Sequence, residues 1–232
     1  MAILEDYAKL IDSREHSNIR FSLDATTPGA SEQIVHANKS LVLFRLFERE
    51  VRDYCSDSHV FNMRMEEVLS SPATRSICPQ FFVRVFDAKP GQTLRLPGVQ
   101  RREEFLLFLE FCYCDRLVSP VTGAQIATLR DICKALGLST VTQYFEQLSQ
   151  LIHNRLRSEL VRDFEAKVMR SSVSGVNNFA LSNLTFEQRQ ELDRSVNQLL
   201  QTVKFSFDQL DNNSSNHLSC TVVQSPEDRM EK

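Results

Sequence analysis

Thr93-Leu94-Arg95-Leu96-Pro97-Gly98-Val99, followed by Phe105-Leu106-Leu107-Phe108-Leu109-Glu110-Phe111-Cys112-Tyr113-Cys114-Asp115-Arg116-Leu117, is the stretch on which the reading of the chain turns. Thr93–Leu96 alternates with the period of a short strand, and Pro97-Gly98 ends it. From Arg101 to Phe111 the apolar residues are Phe105, Phe108, Leu109 and Phe111, a helical period. Glu103 and Glu104 stand at its start, where the positive end of a helix dipole favours acids; adjacent carboxylates there need no acid–base role. Ile126, Leu129, Ile132, Cys133 and Leu136 then mark a helix within 125–138, with Gly137 as its stop. Ser139 or Thr140 reads as the cap of a further helix carrying Val141, Tyr144, Phe145 and Leu148.

Strand, aromatic-rich helix and two amphipathic helices, in that order, resemble the second half of a BTB (POZ) domain. Phe105, Phe108, Leu109, Phe111, Tyr113, Asp115, Leu117, Leu129, Leu136 and Leu138 sit in register with the family's pattern, with Cys114 where Thr is usual. Upstream, Ser17-Asn18-Ile19-Arg20-Phe21-Ser22-Leu23 is similar to the family's opening strand, Thr27-Pro28-Gly29 supplies a turn, and Gln33 to His36 is the return strand. Ala37-Asn38-Lys39-Ser40-Leu41-Val42 resembles the start of the first core helix, and 75–86 resembles the second. Val173 to Ser182 is similar to the end of a BACK region, the helical extension of many BTB proteins, here shortened or divergent. The resemblance implies an α+β fold, a small sheet surrounded by α-helices, followed by a short helical extension. The expected organisation is an amphipathic arm over 1–16, the domain over 17–152 with an insertion at 48–74, a BACK-like extension over 153–211, and a disordered tail over 212–232.

Two departures stand together. Asn18 replaces the family's usual Asp and Asn38 its usual His. In DNA-binding members that Asp and a nearby basic residue form a charged pocket at the dimer seam; here Lys39 alone keeps a charge, so the pocket is not carried over. The stretch from Glu48 to Thr74 has two readings. Either the polar run through 52–58 is an insertion between the two core helices, or Leu43 to Arg52 is one continuous helix and Met63 to Leu69 a later one. Pro72 and Pro79 bracket a break in both.

Composition narrows the function classes. The 232 residues carry a net charge of -3 with 25% charged, which points to no nucleic-acid or membrane-surface partner. No apolar run approaches the roughly 20 residues of a membrane span, and acids at Glu5 and Asp6 stand where a signal peptide is basic. Arg101–Arg102 and the scattered Arg45, Arg49 and Arg52 are interrupted by acids and read as mixed, solvated faces. Six cysteines lack regular spacing; Cys112 and Cys114, inside an apolar helix, read as buried reduced thiols of an intracellular protein, cytoplasmic or nuclear. His36 has no nucleophile motif beside it, and the six glycines form no phosphate cradle. No catalytic, metal or cofactor site is therefore expected.

What remains is an interaction protein. Ile3, Leu4, Tyr7, Leu10 and Ile11 form an apolar stripe on a helix over 2–13, which either meets a second copy or folds back on its own domain. Leu4, Asp6, Tyr7, Leu10 and Ser13 resemble the family's dimer arm, with Leu4 one residue nearer than usual. The expected homodimer interface is Ile3, Leu4, Tyr7, Leu10, Ile11, Ile19 and Phe21. The family implies an adaptor or scaffold, including adaptors that bring a substrate protein to a cullin-based ubiquitin ligase; a transcriptional regulator binding corepressors is the alternative. A cullin face would comprise Phe82, Val85 and Tyr144 among the aromatics Phe81, Phe86 and Phe145. The family's signal after the second helix ends in Glu, whereas this chain has Asp87-Ala88-Lys89-Pro90-Gly91, so weak or absent cullin binding is expected.

Overall fold

In the computed structural model, residues 6–24, 33–51, 70, 72–171, 185–209 and 218–223 are described. They divide into two units, 1–119 with 127–146, and 120–126 with 147–232. The fold is mixed α+β, and no described helix is long and apolar enough to cross a membrane.

The first unit is built on a sheet ordered β2-β1-β3, where β1 is Ile19–Leu23, β2 Gln33–Ala37 and β3 Thr93–Leu96. β1 is central, antiparallel to β2 and parallel to β3. The register places Ile19 opposite Ala37, Phe21 opposite both Val35 and Leu94, and Leu23 opposite Leu96. All seven are buried, because period-two alternation in each strand puts them on one face. The parallel return to β3 needs a crossover. It is made through α1 (Lys39–Leu46), a π-helical turn at Phe47–Val51, α2 (Pro72–Ile77) and α3 (Gln80–Asp87). Pro72 lies at the start of the described run of α2, and Pro79 stands at the N-cap of α3. Residues 52–69, which hold most of the expected insertion and the alternative helix at 63–69, lie outside the described residues.

α4 (Arg102–Cys114) has Glu103 and Glu104 in its first turn and ends at Asp115, whose N–H still donates to the Phe111 carbonyl at 2.9 Å and whose left-handed φ of 60° turns the chain out of the helix. Phe21 meets Phe105 edge-on at 5.3 Å and Phe81 at 5.9 Å, while Phe81 and Phe105 each adjoin Phe108. The sheet is thus joined to α3 and α4 by one aromatic cluster. α5 (Gly123–Ala135) stops at Gly137, φ 73°, with Leu138 N–H bonded to the Cys133 carbonyl at 2.9 Å. That is the glycine-dependent stop expected from the sequence. α6 (Ser139–Ser171) is a continuous helix of 33 residues.

The second unit has the sheet order β4-β5-β6, with β4 Val121–Thr122, β5 Lys204–Gln209 and β6 Leu218–Val223. Val121 lies opposite Phe205; Phe205 and Phe207 are buried, as are Val196 of α7 (Phe186–Thr202) and Ile152 and Leu156 of α6. Thr185 and Gln188 form the reciprocal N-terminal cap of α7 read from the sequence. Gly123 packs closely on α7: a Cβ there would come within 2.5 Å of Leu200 Cδ2 and 3.2 Å of the Leu200 Cβ and carbonyl oxygen, so the Leu200 side chain would have to move.

Three expectations need correction. The arm is helical only at residues 6–8 among its described part, and then turns through i→i+3 bonds to a left-handed Asp12, φ 55°. The 153–211 segment is not all helical, since it contains β5. The tail expected to be disordered contains β6, which pairs with β5 from Lys204↔Val223 to Gln209↔Leu218. Leu218-Ser219-Cys220-Thr221-Val222-Val223 is itself uncharged and rich in β-formers, a signal outweighed in the reading by its polar surroundings.

Candidate interaction surface

The cysteines of α4 and α5 are interior. Cys112 and Cys133 are fully buried, and burial pushes both thiols well above the ordinary thiol range, Arg49 opposing this at Cys112. Cys78 and Cys114 are buried too. Thiols so held protonated are poor nucleophiles and poor metal ligands. Among the described residues no three His, Cys, Asp or Glu side chains are grouped to hold a metal ion.

The two asparagines act locally. Asn38 Oδ1 accepts from the Ser40 and Leu41 N–H groups at 3.1 and 3.3 Å, capping α1. Its own N–H donates to the Tyr113 hydroxyl at 2.6 Å, and burial raises the Tyr113 pKa far above normal, keeping the phenol neutral. Asn18 Oδ1 accepts from Lys39 N–H at 2.7 Å. The Lys39 ammonium donates to the carbonyls of Phe86 and Ala88, the latter at 2.9 Å, at the C-terminal end of α3. A cation at that end satisfies carbonyls that have no helical partner. Lys39 is therefore an internal clamp, consistent with leaving the charged pocket out.

The π-helical turn turns two successive residues to separate tasks. Glu50, buried, accepts from Val141 N–H at 2.7 Å, Thr140 N–H at 3.2 Å and the Ser139 hydroxyl at 3.4 Å. The cap of α6 is thus a carboxylate from another element, not the side chain of Ser139 or Thr140 as the sequence suggested. Arg49 places its guanidinium 4.7 Å from the Phe111 ring centre and 4.9 Å from that of Tyr144, and binds Asp115 Oδ1 at 2.8 Å. This corrects the reading of Arg49 as part of a solvated face: it is half-buried between two rings and a carboxylate. Neither residue had a spacing signal, because their partners lie 66 and about 90 positions away.

The expected interface residues separate into two groups. Ile19 and Phe21 face the core of their own unit and are 1% and 0% exposed, so they offer nothing to a partner. Phe82 and Val85 are likewise fully buried, because α3 turns its aromatic face inward onto the sheet and α1. Tyr144 is half-buried beside Arg49, and Phe86 is half-buried under Lys39. Tyr7, Leu10 and Ile11 are half-buried, while Ile3 and Leu4 lie outside the described residues. The arm is tethered to its own chain: Asp12 Oδ1 accepts from His36 N–H at 2.7 Å, and Asp12 Oδ2 pairs with Arg102. His36, at a strand end, contacts the Ser17 hydroxyl through Nδ1 at 3.4 Å and lies half-buried. Phe44, on α1, is 52% exposed beneath the Arg45 guanidinium and was not singled out from the sequence.

Comparison with protein-family models, with curated proteins and with solved structures gives no match.

Proposed function

We propose that this chain is a non-catalytic protein–protein interaction module of BTB type, homodimeric, acting as an adaptor or scaffold. The observation that supports it is the order of the first unit among the described residues: the antiparallel β1–β2 pair, the helices α1, α2 and α3, a strand returning parallel to β1, then α4, α5 and the start of α6. That succession follows the order of the resembling segments, except that α2 and α3 stand where one helix over 75–86 was expected. The partner surface is the part of Tyr7, Leu10 and Ile11 that the chain leaves uncovered; Asp12 holds this arm against β2 so that it can be presented to a second copy.

The expected weak cullin binding belongs to the same reading. Phe82 and Val85 are enclosed, which leaves Tyr144 alone of the candidate cullin face at the surface. Light scattering tests the dimer: the wild type has twice the mass of one chain at micromolar concentration, and a Leu10→Asp, Ile11→Asp variant weakens the association. A wild type that stays monomeric sinks the reading. Calorimetry against a cullin N-terminal segment tests the rest. A dissociation constant tighter than roughly 1 μM, about −8 kcal/mol, shows the cullin assignment to be wrong.

A further inference from the structure

We propose that the exposed stripe along β3 is a docking surface for an extended acidic segment of a partner protein, held by Arg20, Arg84, Lys89 and Arg95. From Gln80 to Gly98 the chain holds three cations, Arg84, Lys89 and Arg95, and one acid, Asp87. That acid is paired with Arg75. Arg20 joins them from β1: the parallel register sets Arg20 beside Thr93 and Ser22 beside Arg95, so Arg20, Thr93 and Arg95 lie on the side of the sheet opposite the core. All four cations are exposed, Arg95 with 78% of its side chain. Among the described residues, Arg95 alone of the four meets a carboxylate, that of Asp24 at 3.3 Å, and the second Asp24 oxygen accepts from Gly98 N–H at 2.8 Å. A chain of net charge -3 thus gathers positive charge along one strand.

Charge complementarity and spacing select the occupant. Two of the guanidiniums are fixed in advance: Arg20 donates to the Gly91 carbonyl at 2.6 Å and Arg84 to the Arg95 carbonyl at 2.7 Å. A guanidinium has five N–H donors, so each keeps others for a ligand. Gly91 turns the chain at φ 77°, and Lys89 N–H bonds Gln92 Oε1 at 2.9 Å across the same exposed turn. The two anchoring carbonyls are four residues apart, about 13 Å along a strand. That span matches carboxylates at alternate positions of an extended peptide, and a carboxylate accepts the paired N–H groups of a guanidinium. Charges already held in place lose little freedom on binding. A nucleic-acid strand fits less well, because readers of single strands stack bases on exposed rings, and Phe86, between Arg84 and Lys89, is half-buried under Lys39. The stripe belongs to the first unit and uses none of Tyr7, Leu10 and Ile11. It adds to the adaptor reading the place and chemistry of a partner, and it does not depend on the dimer.

The test uses the full chain and a fluorescein-labelled peptide of alternating Glu and Ser, about eight residues long, followed by anisotropy at about 50 mM salt. Saturable binding is expected, weakening as salt rises, with the Gln–Ser counterpart bound at least about tenfold less tightly. Lys89→Glu combined with Arg95→Glu reverses two exposed charges and weakens binding about tenfold or more. Lys134→Glu combined with Arg194→Glu makes the same change in net charge at paired sites elsewhere and stays within about twofold. Circular dichroism confirms that each variant folds, and light scattering on the same samples reads the dimer separately. No saturable binding, equal binding of the Gln–Ser peptide, a Lys89→Glu, Arg95→Glu variant that binds as the wild type does, or an equal loss in both variants overturns the proposal. A thymidine oligonucleotide of equal charge that binds more tightly than the Glu–Ser peptide also overturns it, in favour of a nucleic-acid site.

Discussion

Each of the two sheets buries aromatic or aliphatic residues on an inner face, and the two finish their edges differently. In the first, alternate residues of β1, β2 and β3 pack on the aromatic cluster, and a carboxylate and a guanidinium cover one exposed backbone group on each edge. In the second, Phe205 and Phe207 supply the inner face, β4 is only two residues long, and β6 runs for six with no charged residue. Shortness protects one edge and nothing in the sequence of β6 protects the other. The difference teaches that interior packing and edge protection are separate requirements: alternation secures the first, while the second depends on which distant side chain arrives at the edge.

The largest expected effects test the shared part of that comparison. Phe21→Ala and Phe205→Ala each remove a fully buried ring, and each is expected to cost about 3–5 kcal/mol in denaturant unfolding. A loss below about 1 kcal/mol at Phe205 would mean that the second sheet is not packed as the first is. Next comes Glu50→Ala, which strips the α6 terminus of its acceptor and leaves buried N–H groups unpaired, for about 2–4 kcal/mol. Glu50→Gln, retaining one acceptor oxygen, should recover part of this; equal losses would show that the carboxylate is not the cap.

Alkaline pH should bear on the first unit, which holds both fully buried thiols, Cys112 and Cys133, and the buried phenol of Tyr113. Burial raises these pKa values in the folded chain, so above about pH 9 the unfolded chain releases protons that the folded one keeps. The unfolded state then binds fewer protons, and stability falls as pH rises, by up to about 1.4 kcal/mol per pH unit for each thiol. Urea midpoints between pH 7 and 10 check this, and Cys133→Ala should flatten the slope. A slope the variant leaves unchanged would place the lability elsewhere.

The smallest effect belongs to the edge itself. Asp12→Asn keeps a hydrogen-bond acceptor for His36 N–H but loses the ion pair with Arg102, a loss of about 1 kcal/mol or less at a half-exposed site. Asp12→Ala removes both, and the His36 amide should exchange with solvent at least about tenfold faster, equivalent to about 1.4 kcal/mol of lost protection. Unaltered exchange in the alanine variant would mean that Asp12 does not guard the edge.

Periodicity made several elements legible in advance. Thr93–Leu96, the helix bearing Phe105 to Phe111, the stop at Gly137 and the Thr185–Gln188 cap each depend on residues within a few positions of one another, and each is present. The interior thiols followed from their place in an apolar helix. The candidate surface was less readable. Ile19, Phe21, Phe82 and Val85 have the right chemistry for an interface, yet all four face the interior. An apolar residue looks the same in sequence whether it meets its own core or another chain.

Sequence by itself therefore determined part of the local alphabet: the strands of the first sheet, the helices after β3, where glycine breaks them, and that the strand faces alternate. Tertiary structure alone decided that Glu50 caps α6, that Lys39 closes the end of α3, that Arg49 lies between Phe111 and Tyr144, and that Asp12 meets β2. The physical reason is range. Periods and caps arise from backbone geometry within a turn or two, whereas a charge finds its partner only once the fold has brought together residues dozens of positions apart.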